Sequence, residues 1–205
     1  MKLFYQTHSP YARKVLVLAH ELGIAEDIDV IHHETSPTNR NEEVFGVNPL
    51  GKVPVLICAN GLTLFDSNVI AEYLDGLHRG RRYLPTEGRA RWLCLRMQAV
   101  AQGIADAGIL ARWDTERRPP ALRWQTYADG QLEKLNAAFD YLEEDVTLDG
   151  APDLGQVAAA TALSWIEFRA VAQFKAGRPR LARWYERFVE RPSMRATDYS
   201  GDTHD

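Results

Sequence analysis

Cysteine is scarce in this chain, which has 205 residues and only two cysteines. Cys58 and Cys94 stand far apart in the sequence, so they form neither a disulfide framework nor a Cys-x-x-Cys redox motif. Such sparse cysteine usage is typical of proteins that work in a reducing compartment. We therefore expect a cytoplasmic protein whose two thiols are inert core residues.

Long apolar runs are also missing. The N-terminal residues contain no apolar stretch of signal-peptide length, and the run Val15–Ala19 is far too short to cross a bilayer. The net charge of −4 gives no general attraction to nucleic acid. His32 and His33 are adjacent in a predicted strand, where neighbours point to opposite faces, so they lack the spacing of a metal site. These observations predict a soluble protein with no membrane, nucleic-acid or metal partner.

One stretch, Asn48–Ser67, carries the densest structural signal. An Asn-Pro-Leu-Gly turn leads into the apolar run Val53–Cys58, and an Asn-Gly pair sends the chain back through Leu62–Phe65. Asn-Gly between two apolar runs is typical of a β-hairpin. Pro54 stands at the start of its strand, where a missing N–H is tolerated, and the peptide bond before it can be cis or trans.

The periodicity of apolar residues predicts alternating strands and helices over residues 1–78. The order is strand, helix, strand, helix, strand, strand, helix, with the first strand at Lys2–Tyr5 and the second at Asp27–Glu34. Strands that alternate with helices and end in a hairpin imply a mixed sheet covered on both faces. This βαβαββα order is that of the thioredoxin-like fold, so the predicted class is α/β for this part of the chain.

The chain after residue 88 is predicted to be all helical. His78–Gly88 is rich in Gly and Arg, which is typical of a connection between domains. We therefore expect an α/β domain at residues 1–78, a linker at 79–88 and an all-α bundle at 89–205. In the first predicted helix of the bundle, Gly103 and Gly108 each cost about 1 kcal/mol relative to alanine, which indicates that another backbone or a ligand comes close. Tight helix packing is the simpler explanation of the two.

Three features of the sequence together resemble the glutathione S-transferase superfamily. Residues 48–56 read N-P-x-G-K-V-P-x-L, Asp66-Ser67 opens a helix after the hairpin, and Ser9-Pro10-Tyr11 follows the first strand. The resemblance extends over nearly the whole chain and is greatest to the bacterial serine-type members. It implies a glutathione-binding domain, a helical domain for the second substrate, and a homodimer. The implied reaction is attack of the thiolate of glutathione, a co-substrate, on a small apolar electrophile.

Ser9 is the residue to which the resemblance assigns catalysis. Ser followed by Pro also marks the start of a helix, with the serine at the N-cap. The two roles are compatible, because the hydroxyl lone pairs can cap the helix while the proton points elsewhere. A thiolate that accepts this hydrogen bond at the positive end of a helix dipole has its pKa lowered from about 8.5 towards neutrality. Tyr5 is the alternative activating hydroxyl, and Tyr11 is expected to line the site with its ring.

The resemblance also places glutathione along the hairpin. The backbone of Val53, just before Pro54, is expected to pair with the cysteinyl part of glutathione in strand fashion. The Asp66 carboxylate suits the ammonium group, and the N–H groups and hydroxyl at Ser67 suit a carboxylate. Lys52 either meets the glycyl carboxylate or stays solvated. Plain N-capping by Asp66 or Ser67 is the structural alternative, and it is compatible with binding.

The second substrate and the partner subunit are both expected at the first helix of the bundle. Ala107, Ala111 and Arg112 are, with Tyr11, the candidates for the pocket of the apolar electrophile. A stripe of small residues on this helix is expected to approach a partner helix across a twofold axis: Ala99, Gly103, Ala107 and Ala111. Two alternatives stay open, a transferase-like binding or regulatory module with little turnover, and an isomerase or dehalogenase that uses glutathione as a true cofactor.

Overall fold

The computed structural model of the protein describes residues 1–78 and 80–199. These residues form two compact units, the first made of Met1–Thr86 with the segment that starts at Pro192, and the second of Glu87–Arg191. Arg79 of the predicted linker and residues 200–205 of the predicted helical domain lie outside the described residues.

The first unit is built on a four-stranded mixed sheet. Its strands lie in the order β2-β1-β3-β4, where β1 is Lys2–Tyr5, β2 Asp29–His32, β3 Val55–Ile57 and β4 Thr63–Leu64. β1 is parallel to β2 and antiparallel to β3, and β3 is antiparallel to β4. The helices are α1 (Pro10–Glu21), α2 (Glu42–Val47) and α3 (Ser67–Leu77). The predicted βαβαββα order and α/β class of this part of the chain are confirmed.

Successive residues of β1 point to opposite faces of the sheet, as the pleat of a strand requires. Leu3 and Tyr5 belong to a buried cluster with residues of α1 and α3. Phe4 packs on the other side with Val44 of α2 and with Val53. Both faces of the sheet are therefore covered.

The strand directions bring three chain segments to one end of the sheet. Because β1 and β3 are antiparallel, the residues that follow Tyr5 lie at the same end as those that precede Val55. Because β4 is antiparallel to β3, the residues that follow Leu64 emerge at this end as well. The turn before α1, the Val53–Pro54 peptide and the start of α3 are thus neighbours.

Four long helices make up the described second unit. They are α4 (Gly88–Arg112), α5 (Gln125–Glu144), α6 (Leu154–Phe168) and α7 (Pro179–Val189). α4 continues into a wider π-helical turn, Trp113–Arg117, and packs against both α5 and α6. Within the described ranges of the chain, no helix combines the length and the apolar composition that a membrane crossing requires.

Two glycines of α4 have different surroundings. A Cβ at Gly108 would lie 2.6 Å from Cδ1 of Ile166 and 2.9 Å from the Trp165 ring, both on α6. A Cβ at Gly103 would meet no atom of the described residues within 4 Å. Tight packing against α6 therefore explains Gly108, whereas Gly103 faces open space.

The segment from Pro192 packs on α1, although the sequence predicts residues 89–205 as one helical domain. It begins with a short helix, α8 (Pro192–Arg195). Glu21 of α1 accepts a hydrogen bond from the Ser193 hydroxyl, and Arg13 donates to the Met194 carbonyl at 2.9 Å. These pairs are 172 and 181 residues apart in the chain. The structure differs from the prediction here because sequence periodicity carries no information on contacts at such separation.

Candidate functional site

Ser9 is the N-cap of α1. Its Oγ accepts a hydrogen bond from the Ala12 N–H at 3.2 Å, and Pro10 occupies the first helical position. A turn in which the Ser9 N–H donates to the Gln6 carbonyl at 3.0 Å leads here from β1. The side chain is half-buried, and its proton has no acceptor among the residues that the structure describes. Since capping uses only a lone pair, the hydroxyl keeps a proton to donate at the positive end of the α1 dipole.

Tyr5, the alternative donor, is placed differently. Its ring is buried in the core cluster that α1 and α3 share with the sheet. Burial raises the pKa of the Tyr5 hydroxyl to about 12, although the positive charge of Arg13 lowers it. Ser9 is therefore the more exposed of the two hydroxyl donors. Tyr11 lies two residues after Ser9, in the first turn of α1, and is half-buried.

A buried asparagine builds the turn that precedes β3. Asn48 accepts a hydrogen bond from the Leu50 N–H at 3.0 Å and donates from Nδ2 to the Lys52 carbonyl at 2.8 Å. Gly51 has a φ of +61°, and a Cβ there would overlap the Phe45 ring. The turn therefore requires glycine at this position. The sequence marks Asn48 as a turn residue, but its two side-chain bonds also fix the backbone that leads into the hairpin.

The Val53–Pro54 peptide bond is cis, one of the two isomers that the sequence left open. Within the part of the chain that the structure describes, neither the N–H nor the C=O of Val53 takes part in a hydrogen bond. β3 begins two residues later, so this peptide continues the line of a strand. It can therefore pair with an extended ligand as one strand pairs with another. The Lys52 side chain beside it is exposed.

Asp66 and Ser67 open α3. The Asp66 carboxylate caps the helix by accepting from the N–H groups of Asn68 at 2.9 Å and Val69 at 3.5 Å. Ser67 is 1 % exposed, and its hydroxyl has no hydrogen-bond partner among the described residues. The start of α3 thus places the Asp66 carboxylate next to the Ser67 hydroxyl, a hydrogen-bond donor that no described residue uses.

A side-chain hydrogen bond joins the starts of the two helices. Lys14 in α1 is buried and donates from Nζ to Oδ1 of Asn68 in α3 at 2.6 Å. Together with the strand directions, this bond keeps Ser9, Val53 and Asp66 at one end of the sheet. The structure therefore brings together the predicted site residues of the first unit.

The remaining candidates lie in the second unit. Ala107, Ala111 and Arg112 are all buried near the end of α4. The Arg112 Nε lies 3.0 Å from Oε2 of Glu116, one turn further on. Among the described residues, no group of His, Cys, Asp and Glu has the arrangement of a metal site.

Comparison with known proteins gives the family. A family model described as the glutathione S-transferase N-terminal domain matches residues 8–77. The chain is 34% identical over 205 residues to the uncharacterized GST-like protein YibF of Escherichia coli strain K12, an alignment that covers 97% of this chain and 98% of YibF. The chain belongs to the glutathione S-transferase family. The predicted superfamily is therefore confirmed.

Two further proteins are similar to this glutathione S-transferase family member over nearly its whole length. Glutathione S-transferase GstB of Escherichia coli strain K12 is 27% identical over 203 residues, which covers 94% of this chain and 95% of GstB. A crystal structure of a glutathione transferase family member from Pseudomonas fluorescens Pf-5 with bound glutathione is 37% identical and superposes with a TM-score of 0.95. That match covers 98% of this chain and 99% of the other, so the thioredoxin-like domain and the helices after it both belong to the family fold.

Proposed function

We propose that this protein is a glutathione transferase that joins the thiolate of glutathione to a small apolar electrophile. The observation that carries the proposal is the geometry of Ser9, whose oxygen caps α1 while its proton has no acceptor among the described residues. A thiol sulfur next to this hydroxyl would accept its hydrogen bond at the positive end of the α1 dipole. Both effects stabilise the charged sulfur, so they lower the pKa of the thiol.

The proposed reaction needs only one nucleophile. The glutathione thiol first loses its proton to solvent. The thiolate then gives an electron pair to the electrophilic carbon, and the C–S bond forms while the leaving group departs with its own electron pair. Ser9 remains a hydrogen-bond donor throughout and gains or loses no proton.

The first unit offers a partner for each polar part of glutathione. The backbone N–H and C=O groups of Val53, the residue before Pro54, suit pairing with the backbone of the cysteinyl residue of glutathione, as one strand pairs with another. Asp66 suits the ammonium group, because helix capping occupies only part of the lone-pair capacity of a carboxylate. Ser67 suits the γ-glutamyl carboxylate through its N–H and through its hydroxyl, which has no partner among the described residues. Lys52 is assigned to the glycyl carboxylate.

Neither cysteine competes with glutathione in this proposal. Cys58 and Cys94 are both buried thiols. Burial raises the pKa of the Cys94 thiol to about 12, so it stays protonated at neutral pH and is a poor nucleophile. Such inert thiols fit the cytoplasmic location that we propose. Tyr11, Ala107, Ala111 and Arg112 remain the predicted contacts of the electrophile, on the strength of the family resemblance.

A glutathione titration tests the proposal. The thiolate absorbance of protein saturated with glutathione is followed against pH, with free glutathione as the reference. We expect the bound thiol to ionise near neutral pH, about one to two units below the ~8.5 of an ordinary thiol. Since the charged sulfur is the nucleophile, the conjugation rate should rise with pH through this pKa and then level off. No binding, or a bound thiol with the pKa of free glutathione, would contradict the proposal.

A panel of electrophiles then separates the alternatives. Thioether formation with loss of glutathione supports conjugation. Regeneration of glutathione after turnover indicates an isomerase or a dehalogenase. Binding and ionisation without turnover across the panel favour the regulatory module.

We propose in addition that the exposed side of α4 is the contact of a homodimer. Six exposed residues alternate at intervals of four and three along this helix: Trp92, Arg96, Ala99, Gly103, Asp106 and Leu110. A period of 3.5 residues keeps them on one stripe. The ends of the stripe are large and apolar, with Trp92 67% and Leu110 42% exposed. The small residues at its centre, Ala99 and Gly103, leave room for a second helix, whereas Ala107 and Ala111 of the predicted stripe are buried within the subunit.

The stripe is self-complementary, as a twofold interface requires. Its members are placed symmetrically about Ala101. When two α4 helices lie antiparallel about a twofold axis there, Arg96 faces Asp106 of the second copy. In the same way Ala99 faces Gly103 of the second copy, and the apolar Trp92 faces the apolar Leu110. The two symmetry-related ion pairs then flank a close central contact.

A charge swap tests this register. Asp106→Arg alone should place like charges opposite each other twice, and we expect it to weaken the dimer at least about tenfold. Arg96→Asp alone should weaken it similarly, and it also removes the ion pair that Arg96 Nη2 makes with Oδ2 of Asp145 at 3.7 Å within the subunit. The double variant Arg96→Asp/Asp106→Arg should therefore restore part of the affinity. Sedimentation velocity at several protein concentrations measures the three constants. A monomeric wild type, or a double variant no tighter than the single ones, would overturn the register.

A further inference from the structure

Glu21, the last residue of α1, binds two segments that are far apart in the chain. Its Oε2 accepts a hydrogen bond from the Tyr83 hydroxyl at 2.6 Å, and its Oε1 accepts one from the Ser193 hydroxyl. Both hydroxyl-bearing residues are buried, and they lie 62 and 172 residues from Glu21. Hydrogen bonds to a charged carboxylate are about twice as strong as those between neutral groups. We call the arrangement of Tyr83, Glu21 and Ser193 the Glu21 bridge.

The two bridged segments are the places at which the chain passes between its two compact units. The first unit runs to Thr86 and takes up the chain again at Pro192. Tyr83 lies shortly before the first passage, and Ser193 follows Pro192 directly after the second. Both contacts with Glu21 lie within the first unit, so the Glu21 bridge attaches both passages to the end of α1.

The linker has a second attachment through its backbone. The buried carboxylate of Asp75, in α3, accepts hydrogen bonds from the N–H groups of Tyr83 at 2.7 Å and of Leu84 at 3.2 Å. Asp75 thus holds the backbone of the linker, whereas Glu21 holds the Tyr83 side chain. Amide protons that are bonded in this way exchange with solvent only when the segment opens. The amides of Tyr83 and Leu84 therefore report on opening of the linker.

The segment from Pro192 has a second attachment to α1 as well. Arg13 donates from Nη2 to the Met194 carbonyl at 2.9 Å and from Nε to Thr197 Oγ1 at 3.3 Å. Within the segment, the Ala196 N–H donates to the Pro192 carbonyl at 2.9 Å, so the exchange of this amide reports on opening of α8. Each segment thus has an attachment of its own, and Glu21 is a contact that the two share.

We infer that the Glu21 bridge couples the linker to the C-terminal segment, so that loosening one loosens the other. A glutamate side chain loses rotamer freedom when it is held in one conformation. Since both hydroxyls bind the same carboxylate in the same conformation, this loss occurs once for two bonds, and each bond favours the other. Coupling of this kind is reciprocal. It is independent of the proposed function, because it requires neither glutathione nor Ser9.

Hydrogen–deuterium exchange of the full-length protein tests the coupling. Ser193→Ala should raise the exchange rates of the Tyr83 and Leu84 amides about 3- to 10-fold, although the Ser193 hydroxyl is bonded to Glu21 and not to the linker. By reciprocity, Tyr83→Phe should raise the exchange rate of the Ala196 amide by a similar factor. In the Tyr83→Phe background, Ser193→Ala should leave the Leu84 amide unchanged, because the bridge is already broken.

Thr197→Val is the matched control. It removes a hydroxyl from the same segment, but one that is bonded to Arg13 and not to Glu21. It should therefore speed exchange in α8 and leave the linker amides as they are in wild type. Glu21→Gln is a second test, because an amide oxygen can accept from both hydroxyls only if one of them moves. This variant should speed exchange in the linker and in α8 together.

The amides of β1 serve as the internal reference, because they exchange only when the sheet opens. Linker exchange in Ser193→Ala equal to that of wild type would overturn the coupling. So would an effect of Ser193→Ala that persists in full in the Tyr83→Phe background, since the signal would then bypass Glu21. Faster exchange in β1 by the same factor would show a general loss of stability and would overturn it too.

Discussion

Replacing Ser9 with alanine is expected to raise the thiol pKa of bound glutathione by about one to two units and to lower kcat/KM roughly 10- to 100-fold at neutral pH. A hydrogen bond to a charged group contributes about 1.5–3 kcal/mol, and each pKa unit corresponds to about 1.4 kcal/mol. Because the sulfur then ionises at higher pH, part of the lost rate should return as the pH is raised. The measurements are the thiolate titration and the pH profile of kcat/KM.

Ser9 also caps α1, so the loss of its hydroxyl must be separated from a loss of helix stability. Ser9→Gly makes a matched control, because glycine at an N-cap costs only a few tenths of a kcal/mol whereas alanine costs about 1 kcal/mol. The two variants should differ in unfolding free energy and share the same shift in thiol pKa. Ser9→Thr keeps both the cap and the donor and should retain most of the activity. A thiol pKa in Ser9→Ala equal to that of wild type would transfer the activating role to Tyr5 or to the backbone.

Gly155→Ala is expected to lower the free energy of unfolding by about 2–3 kcal/mol. A Cβ at this position of α6 would lie 2.7 Å from Cβ of Met97 and 2.8 Å from the Cys94 carbonyl oxygen, both on α4. Neither contact can be relieved by rotating a side chain, because the Cβ of Met97 and the carbonyl of Cys94 are both fixed by the α4 backbone. The two helices must therefore move apart. The Gly155 N–H, which donates to the Cys94 sulfur at 3.3 Å, would shift with them.

Gly130→Ala provides the matched control for that substitution. Gly130 also lies inside a helix, α5, but a Cβ there would meet no atom of the described residues within 4 Å. Alanine should therefore stabilise the protein by up to about 1 kcal/mol through its helix propensity alone. Urea unfolding at one fixed protein concentration measures both variants, since the stability of a dimer depends on concentration. A Gly155→Ala protein as stable as wild type would show that the contact between α4 and α6 is looser than the structure indicates.

Local features could be read from the sequence, and distant ones could not. The Asn-Gly turn of the hairpin and the helix starts at Ser9 and Asp66 depend on chemistry within a few residues, so their residue types predict them. The hydrogen bond between Arg13 and the Met194 carbonyl joins residues that are 181 positions apart in the chain, and no local sequence pattern predicts it. Gly103 and Gly108 look alike in the sequence of α4, yet only Gly108 is packed against α6. Such differences are set by which helix lies opposite, which is a property of the whole fold.

The attachment of Thr197 to Arg13 has a consequence for the order of synthesis. A chain that leaves the ribosome N-terminus first can form the sheet and α1 early, because these contacts lie within the first 86 residues. The hydrogen bond between Arg13 and Thr197 spans 184 residues, so the guanidinium has no such partner until translation has passed Thr197. A nascent chain arrested before that point would present Ser9 on a formed helix, whereas Arg13 of the same helix would lack the hydrogen bond that Thr197 gives it. The complete packing of α1 is therefore acquired late in synthesis, after the helical unit has emerged.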